Sequence, residues 1–511
     1  EFEFIPPNWS KNITPITPLP DFESSVGPSD SVDTFQCHTP YTIFNYLFSD
    51  EIMNMLVEQT NLYSFQRSQK TGKPYTQTNI QELKTFFGIN LLMGIKRMPS
   101  YRDYWSSHPD LHDSYISSLM TVNRFGWLLS SLHINNNVMM PKRGETGYDK
   151  LYKVRPFLTK IKRNFQKYYN PHRIVAVDES MIKFKGRSTL KQYMPNKPIK
   201  RGYKVWSLVD QKGYLWNFDM YVGKVGDAVQ IDLGGSVVKN LSLPIQNKNH
   251  CLYMDNFFTS VPLLNYLKTK KIHACGTIKA LRKYSPKMKP DSTLKIGDYD
   301  WEMSDQNDVS IIKWKDKRIV NLLSNFHDPK NVTHVKRKAK DGTVSMIPCP
   351  IVLQDYNSNM NCVDKFDQNK KTYQIDRKSQ KWWHRIFFFF FDATIVNARI
   401  LYNEITNENM SMKEFRRNVS RDLVAKTLVE KRRSSTDSPV TPKHLKKGSP
   451  AVPKEVRLEQ SAHQPQRSTR RRCNNCSSKK KEIRTDWTCS ICEVPLCLGK
   501  NRNCFAEYHN I

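Results

Sequence analysis

The middle of the chain alternates short apolar runs with turn residues, and this pattern predicts a mixed α/β region. Residues 173–178 form a run of β-type side chains, and residues 202–223 alternate around a Gly-containing turn, which predicts a hairpin. Helical spacing interrupted by two glycines follows over 231–241. A strand is then predicted over 250–255 and a helix over 261–267, where a proline is tolerated near the helix start.

The regions on either side of this segment are helical. Helical spacing dense in aromatic residues occupies 41–170 and returns over 376–428. In the first of these regions, Asn79 and Glu82 have the spacing of a capping box at a helix start. The aromatic residues are expected to form a core, with stacking on nucleic-acid bases as the alternative. Residues 280–350 switch to short β-type runs and predict strands.

Three groups of carboxylates accompany these elements. Asp178 closes the first β-type run, Asp255 closes the later strand, and Asp364 and Asp367 lie three residues apart in a polar helical segment. Each of them alone has the simpler interpretation of a helix or turn cap. Together, acids so far apart in sequence suit a divalent-metal phosphoryl-transfer centre. Carboxylates are ligands for Mg²⁺ (or Mn²⁺), and two ions about 3.5–4 Å apart can hold the attacking and leaving oxygens.

The order of the elements strengthens the catalytic interpretation. Three strands, a helix, a strand and a helix are the opening of an RNase H-like sheet, in which the first two acids lie at neighbouring strand ends and a later helix brings the third. Asp364 and Asp367, at i and i+3, share a helix face, so either or both can point at a metal. The β-type runs between the second and third acids then form a β-rich insertion.

Charge and composition indicate the partner. The 511 residues include 80 Lys plus Arg and 48 Asp plus Glu, a net charge of +32. A charge run alone is often a solvated face, but an excess this large over an enzyme-sized chain indicates nucleic acid. The length predicts about two to four domains. The apolar run 387–391 is far shorter than the ~20 residues of a membrane span, so no membrane is expected.

Both ends of the chain differ from its centre. Residues 1–40 are rich in Pro and Ser with little periodicity, which predicts a disordered arm. The chain begins at Glu1 without a signal segment, so it is expected to be a fragment lacking its natural N-terminus. Residues 431–472 contain Ser, Pro, Lys and Arg without periodic apolar residues, which predicts a flexible basic linker.

The last 39 residues contain six of the eleven cysteines and a terminal histidine. These candidate ligands are Cys473, Cys476, Cys489, Cys492, Cys497, Cys504 and His509. Paired CxxC spacing suits tetrahedral Zn²⁺, whereas the rival interpretation, a disulfide knot, requires a secreted chain. The paired spacing predicts two interleaved zinc ions, which need eight ligands where seven are visible. The candidates for the eighth are His463, a water, or a residue beyond Ile511.

Several strings of the sequence resemble those of piggyBac-type cut-and-paste DNA transposases. They lie at 177–181, 197–204, 255–260, 356–368 and 495–509. The resemblance covers about residues 40 to 511. It implies an RNase H-like catalytic domain with a β-rich insertion, a split helical domain for dimerisation and DNA binding, and a zinc-bound cysteine-rich tail. The implied division is an arm at 1–40, helical parts at 41–170 and 370–430, catalytic parts at 171–279 and 346–369, an insertion at 280–345, a linker at 431–472 and the tail at 473–511.

The resemblance also implies an activity. Members of the family bind transposon ends, nick and join double-stranded DNA with hairpinned ends, insert at TTAA and excise without a scar. The family's catalytic, metal-binding aspartates correspond to Asp178, Asp255 and Asp364, with Asp367 as a nearby fourth acid. Its basic pair for target-DNA contact corresponds to Lys279 and Arg282.

The tail is expected to bind transposon-end DNA, with a chromatin protein as the alternative partner. Its basic side chains, expected to contact DNA and to direct nuclear import, are Arg470, Arg471, Arg472, Lys479, Lys480 and Lys481. A homodimer is expected because a transposase must hold two ends together. The split helical region, 41–170 plus 370–430, is the expected dimer surface, and the aromatic segment 381–391 suggests where on it the contact lies. The alternative for residues 387–391 is that they fill the joint between the helical and catalytic domains.

Two other classes of function stay open at this point. A metal nuclease of the same fold needs the same carboxylates but performs no strand transfer. A domesticated DNA- or chromatin-binding protein needs none of them. The presence of every acid favours an active enzyme over the second class.

Overall fold

The computed structural model describes residues 3–12, 18–33, 38–195, 197–223, 232–305, 309–338, 342–379, 381–436, 463–478, 481–499 and 501–510. Its chain forms two compact units, Glu1–Arg432 and Arg433–Ile511. The predicted linker, 431–472, lies largely outside the described residues, apart from 431–436 and 463–472.

The helices up to residue 436 lie mostly where helical spacing predicts them. They are α1 (Pro40–Leu47), α2 (Asp50–Thr71), α3 (Ile80–Ile95), α4 (Ser114–Leu119), α5 (Val122–Ser131), α6 (Arg155–Lys167), α7 (Leu233–Ser242), α8 (Val261–Thr269), α9 (Ile351–Asn359), α10 (Cys362–Lys371), α11 (Trp382–Thr406) and α12 (Met412–Thr436). At the start of α3, the Asn79 side chain accepts a hydrogen bond from the Glu82 backbone N–H, as predicted. The Glu82 carboxylate instead binds Thr78 and Arg124, so only half of the capping box forms.

The strands of the same unit are mostly short and lie in one large sheet and two small pairs. They are β1 (Trp9–Ser10), β2 (Gly27–Pro28), β3 (Tyr169–Asn170), β4 (Ile174–Lys183), β5 (Gln192–Tyr193), β6 (Arg201–Asp210), β7 (Leu215–Met220), β8 (Cys251–Met254), β9 (His273–Thr277), β10 (Tyr299–Ser304), β11 (Ser310–Lys315), β12 (Ile319–Ser324), β13 (Val332–Lys338) and β14 (Val344–Pro350). The predicted hairpin of β6 and β7 and the strand β8 are confirmed.

A ten-stranded mixed sheet organises the first unit. Its order is β1-β10-β11-β12-β9-β8-β4-β6-β5, and β7 pairs with β6. The central strands β4, β8 and β9 run parallel to one another, whereas β4 and β6 run antiparallel. Because parallel neighbours need a crossover connection, α7 lies between the β6–β7 hairpin and β8, and α8 links β8 to β9.

The position of Asp178 differs from the prediction. Asp178 does not end its strand, because β4 continues to Lys183. The parallel pairing of β4 with β8 stops at Val177 opposite Met254, but the antiparallel pairing with β6 extends along the remainder of β4 to Lys183. Asp255 does follow the last residue of β8, as predicted.

Two other regions are more closely joined to the rest of the first unit than the sequence pattern indicates. In the predicted disordered arm, Trp9 pairs with Ser304 of β10, and Gly27 pairs with Asn170 of β3. In the predicted insertion, β10, β11 and β12 extend the main sheet through β9, and only the β13–β14 hairpin is separate from it among the described strands. Unpaired backbone at a sheet edge is readily covered by a further strand, and sequence periodicity alone does not reveal that pairing.

The aromatic segment of α11 is interior. Its phenylalanines, 387–391, are at most 7% exposed. Phe391 lies 5.2 Å from Phe48 among the helices, and Phe390 lies 4.2 Å from Phe218 on the sheet, measured between ring centroids. The expectation that these phenylalanines form a dimer surface is therefore wrong, and the alternative, that they fill the joint between helices and sheet, is confirmed. By length and composition α11 is apolar enough to cross a membrane, but 89% of its most apolar window is buried in the protein.

The second unit is small and has little regular structure. Its elements are β15 (Pro465–Arg472), β16 (Arg484–Cys489), β17 (Leu498–Gly499), β18 (Arg502–Asn503) and a last helix, α13 (Cys504–Asn510). β15 pairs with β16, and β17 pairs with β18, both antiparallel.

Candidate active site

Sheet register brings Asp178 and Asp255 together. Val177 and Met254 are partners in the parallel pair β4–β8, so the residues that follow them are neighbours at the same edge of that pair. One carboxylate oxygen from each aspartate and one from Glu179 lie within 4.8 Å of one another. Two of the sequence-predicted acids therefore meet, although 76 residues separate them in the chain.

The two aspartates lie in an environment that opposes their charge. Burial raises the pKa of Asp178 and, to a lesser extent, that of Asp255. Asp178 Oδ1 is buried without a hydrogen-bond partner, and Lys197 Nζ lies 3.8 Å from it. Asp255 Oδ1 accepts a hydrogen bond of 2.9 Å from the backbone N–H of Phe257, so Asp255 also has the turn-capping role of the simpler interpretation. A bound cation would offset the cost of keeping both carboxylates charged.

Glu179 is the third member of this acidic group, and the sequence pattern does not single it out. Its two oxygens contact Lys204 Nζ at 2.7 Å and Lys197 Nζ at 3.1 Å. Burial opposes its ionisation, but the hydrogen bond from Lys204 prevails, and the pKa of Glu179 is lowered. The Lys204 ammonium also lies 3.7 Å from the ring centroid of Trp206. Glu179 is thus the counter-ion of two lysines from the string 197–204, and its own place in the string 177–181 is the sequence signal that could have revealed it.

The acids of α10 are placed differently from each other. Asp364 is exposed in the first turn of the helix, whereas Asp367, one turn later, is half-buried beside Ser180 of β4, with its Oδ1 atom buried. Burial raises the pKa of Asp367, and Lys370 Nζ lies 3.5 Å from its Oδ1. Within the described residues, neither α10 acid belongs to the group formed by Asp178, Glu179 and Asp255. The assignment of Asp364 as the third metal ligand stays a prediction.

The acidic group fits a divalent cation on two observations. The first is the donor set, which consists of carboxylate oxygens and suits hard cations such as Mg²⁺. The second is the buried, unpartnered Oδ1 of Asp178 beside the carboxylate of Asp255. Because the two oxygens of Glu179 contact lysines at 2.7 and 3.1 Å, whereas Lys197 lies 3.8 Å from Asp178 Oδ1, Asp178 and Asp255 are the members better placed to hold an ion.

Six thiols and two imidazoles of the second unit fall into two interleaved groups of four side chains. One consists of Cys473, Cys476, Cys497 and Cys504, and the other of His463, Cys489, Cys492 and His509. In each group the ligand atoms lie within 4.8 Å of one another. All seven predicted ligands are brought together, and the eighth side chain of the two groups is His463, one of the three alternatives predicted. Four sulfur or nitrogen donors per group are the donor set of tetrahedral Zn²⁺.

Hydrogen bonds prepare this unit for metal binding. His509 Nδ1 lies 2.7 Å from the Phe505 carbonyl oxygen, so Nδ1–H donates there and Nε2, 3.5 Å from Cys492 Sγ, keeps its lone pair. Burial opposes ionisation of Cys473, but backbone N–H groups of Cys476 and Asn475 lower the pKa of its thiol to about 7. A thiolate is the form that binds a metal.

The predicted DNA-contact residues are spread over both units. Lys279 is exposed in the loop after β9, and Arg282 Nη2 donates to the Phe257 carbonyl oxygen at 3.3 Å, close to Asp255. In the second unit, Arg470 is exposed on β15, whereas Arg471 and Arg472 donate to Thr488 and Ser477. Lys481 is exposed, and Lys479 and Lys480 lie outside the described residues.

Comparison with known proteins identifies the family. The family model described as Transposase IS4 matches residues 39–399. Two Homo sapiens proteins, PiggyBac transposable element-derived proteins 2 and 3, are each 27% identical to this chain over 390 and 392 residues. This chain belongs to the piggyBac-type transposase family. The two alignments cover 74% and 75% of this family member, which spans only 64% of the length of each relative.

A solved structure supports the fold of this piggyBac-type chain. The cryo-EM structure of a piggyBac transposase synaptic complex with hairpin DNA matches it with a TM-score of 0.71 at 23% identity. The match covers 93% of this chain and 98% of that one. The mixed α/β architecture is therefore that of a piggyBac transposase, and the resemblance seen in the short sequence strings extends over nearly the whole chain.

Proposed function

We propose that this chain is a cut-and-paste DNA transposase that binds transposon ends, nicks and joins DNA with hairpinned ends, and integrates at TTAA. The observation that carries the proposal is the meeting of Asp178 and Asp255, with Asp178 Oδ1 buried and unpartnered. Family membership supports it, and so does the likeness to a piggyBac transposase whose solved structure is a synaptic complex with hairpin DNA. The strand order β9-β8-β4-β6 supports an RNase H-like catalytic core.

In this proposal Asp178, Asp255 and Asp364 hold Mg²⁺ or Mn²⁺, with Asp367 beside them. The bound ions would supply an activated water or 3′-hydroxyl nucleophile and neutralise the leaving oxygen. The protein's own contribution is to hold the carboxylates in place from the sheet, while Lys197 and Arg282 present positive charge beside them. No protein nucleophile is needed, since the attacking group is water or a DNA hydroxyl.

The second unit has a separate role in the proposal. Its two Cys/His groups would each hold one Zn²⁺, and its exposed basic side chains would contact the phosphates of transposon-end DNA. A metal-fixed module can add sequence preference, because the side chains that read bases are held in place. The basic runs would also direct nuclear import, and the protein would act as a homodimer that holds two ends.

Excision of a TTAA-flanked cassette, whose ends match the parent element, tests the proposal. Wild-type chain should release the cassette and restore TTAA, and the Asp178→Asn variant should not. Joining of a pre-cut end to plasmid separates a transposase from a nuclease of the same fold, which would cut without joining. Light scattering at micromolar concentration, with and without end DNA, tests the dimer, and a monomer under both conditions would contradict it.

The alternative is a domesticated DNA- or chromatin-binding protein. Its support is that both human relatives are named as transposable element-derived proteins. Such a protein would bind DNA, or a chromatin protein through the zinc unit, and would neither nick nor join. Binding without cleavage in Mg²⁺ and in Mn²⁺ would favour it.

A further inference from the structure

A cleft of about 910 Å³ lies beside the acidic group in the first unit. Its walls come from the far end of β4, the segment around β5 and the start of β6, the end of α10 with the residues after it, and α11. Cationic side chains dominate the lining: Arg97, Lys183, Lys185, Lys200, Lys371 and Arg385, with Arg201 at the start of β6.

The cations of this cleft greatly outnumber its acids. The acidic side chains of its lining are Asp376 and Asp392. Asp392 is already paired with Arg416 at 2.7 Å, outside the lining. Asp376 has Arg385 at 2.5 Å and Lys183 at 3.8 Å. Seven cations thus face a single acid that is available to them, and the ligand that this arrangement favours is a polyanion.

Two of the cations are fixed by the backbone. Arg97 Nη2 donates to the carbonyl oxygens of Lys371 and Thr372, at 3.1 and 2.8 Å. Arg385 Nε donates to the Lys183 carbonyl oxygen at 3.0 Å. Arg97 Nε also donates to the Gly94 carbonyl oxygen, so its Nη1 N–H groups keep a set direction, which suits a phosphate oxygen better than a mobile surface charge does. Arg385 is held further by Asp376 and contributes positive charge to the cleft wall.

An exposed aromatic ring points to unpaired bases. Tyr193 of β5 is 62% exposed, and the Arg201 guanidinium lies 5.2 Å from its ring centroid. An aromatic ring at the edge of a cationic groove is the usual stacking platform for a single-stranded base. Duplex DNA keeps its bases stacked on each other, so the ring favours unpaired nucleotides over a double helix.

Two chain segments connect the lining of the cleft to the acidic group. Met181, in the lining, is three residues after Asp178 on β4, which is about 10 Å at the rise of a strand. Pro198, also in the lining, follows Lys197, whose Nζ lies 3.8 Å from Asp178 Oδ1. A strand seated in the cleft would therefore lead its backbone to the carboxylates.

We propose that this cleft binds the sugar-phosphate backbone of unpaired DNA nucleotides next to the phosphate that is cut or joined, with Tyr193 stacking on one base. This inference rests on the proposed transposase function. It specifies the form of the DNA substrate, which is a locally single-stranded segment at the acidic group.

Binding without catalysis tests the inference. A fluorescent single strand of about 12 nucleotides, which lies within the ~4–16 nucleotides of a typical single-strand site, and the duplex of the same sequence are titrated by anisotropy at several salt concentrations, without added Mg²⁺ or Mn²⁺. The Lys185→Gln/Lys200→Gln variant removes two exposed cations of the cleft, and Lys248→Gln/Lys271→Gln removes two exposed lysines before β8 and β9, away from it. The cleft pair should lower the magnitude of the single-strand salt slope by about 1.4, at about 0.7 per phosphate contact, and the control pair should leave it unchanged.

Tyr193→Ala supplies a second measurement that does not depend on charge. It should weaken single-strand binding by at least about fivefold, the lower end of the loss of one stacked base, and leave duplex binding unchanged. Equal effects of the cleft and control pairs, or equal losses for duplex and single strand, would overturn the inference. Because binding is measured without Mg²⁺ or Mn²⁺, these outcomes are independent of whether the chain cuts DNA, which the excision assay decides.

Discussion

Asp178 and Asp255 are brought together by a ten-stranded sheet, whereas the eight Cys and His side chains are brought together within the short span 463–509. The sheet packs into a large apolar cluster that runs from α1 to α12. In the described part of the second unit, the buried apolar cluster has seven members, four of which are cysteines. The first site is a small acidic patch on a scaffold with its own core, and the second consists largely of the side chains that would hold the metal.

The two units differ in the source of their folding free energy. Burial of apolar surface can hold the first unit together with no ion, so its carboxylates can be kept close and partly unpaired. The second unit has too few apolar residues to do the same, and metal binding would supply its folding energy. Loss of metal should therefore affect the two regions in different ways.

Removal of metal gives the largest expected effect. A strong chelator should unfold the second unit, because structural Zn²⁺ contributes about 10–16 kcal/mol of apparent binding free energy in small zinc modules. The first unit should keep its structure. Hydrogen exchange of both units before and after chelation measures this, and zinc added back should restore protection in 463–509. Equal protection of that span with and without chelator would contradict the prediction.

Asp178→Asn and Asp255→Asn should each lower nicking by at least about 10³-fold, since a lost charged ligand costs several kcal/mol of transition-state stabilisation. Because the sheet's core does not include these side chains, thermal unfolding should change little. The matched control is Asp110→Asn, the same change at an exposed position. A variant that nicks at the wild-type rate would remove that aspartate from the site.

The two acids of α10 sharpen the comparison further. The family resemblance favours Asp364 as the third metal ligand, whereas the position beside Ser180 of β4 favours Asp367. Asp364→Asn should abolish nicking if the family's third ligand is Asp364. Asp367→Asn should cost only about 10–100-fold, the typical effect of a group that orients a ligand. Burial raises the pKa of Asp367, so the charged form is disfavoured in the fold, and Asp367→Asn should not lower the unfolding temperature. Single-turnover nicking gives the order, and a reversed order would assign Asp367 as the third ligand.

The two regions also differ in how well the sequence alone predicts them. Spacing predicts seven of the eight Cys and His side chains that the structure brings together in the tail, with His463 as a candidate, because residues close in sequence are also close in space there. In the sheet, the apolar runs predict β6, β7 and β8 correctly. They do not predict the extension of β4 beyond Asp178, because it depends on pairing with β6, which the residues of β4 do not encode alone.

The other differences between the sequence predictions and the structure arise from contacts with residues in distant parts of the chain. The arm pairs with β10 across nearly 300 residues, and the phenylalanines of α11 are covered by helices and sheet at once. The lysines that pair with Glu179 come from the string 197–204, whose residues resemble the family's, but their partner is visible only in the structure. Which α10 acid faces the sheet is likewise decided by the rotation of the helix on β4.

Deletion of 473–511 tests whether the second unit contributes recognition as well as affinity. The ratio of end-DNA to unrelated-DNA affinity should fall by at least about tenfold, the cost of losing roughly one well-read base pair. Non-specific binding should fall less, because most of the net charge of +32 lies outside this segment. Chelation of the full chain should mimic the deletion. A truncated chain that discriminates its ends as well as the full chain does would place recognition in the first unit.

The smallest expected effects are those of single basic side chains, and they compare the two units directly. Arg470 and Lys279 are both exposed, one in each unit. If each contacts one phosphate of duplex DNA, Arg470→Ala and Lys279→Ala should each reduce the salt slope of binding by about 0.9. If the second unit binds transposon ends and the loop after β9 contacts target DNA, Arg470→Ala should weaken binding to transposon-end duplex and Lys279→Ala binding to TTAA target duplex. Lys248→Ala is the exposed control. Because a phosphate contact carries no sequence information, neither change should alter the ratio between matched and scrambled sequences. A change in that ratio for Arg470→Ala would mean that this arginine reads a base, and no change in slope on either duplex would remove it from the DNA interface.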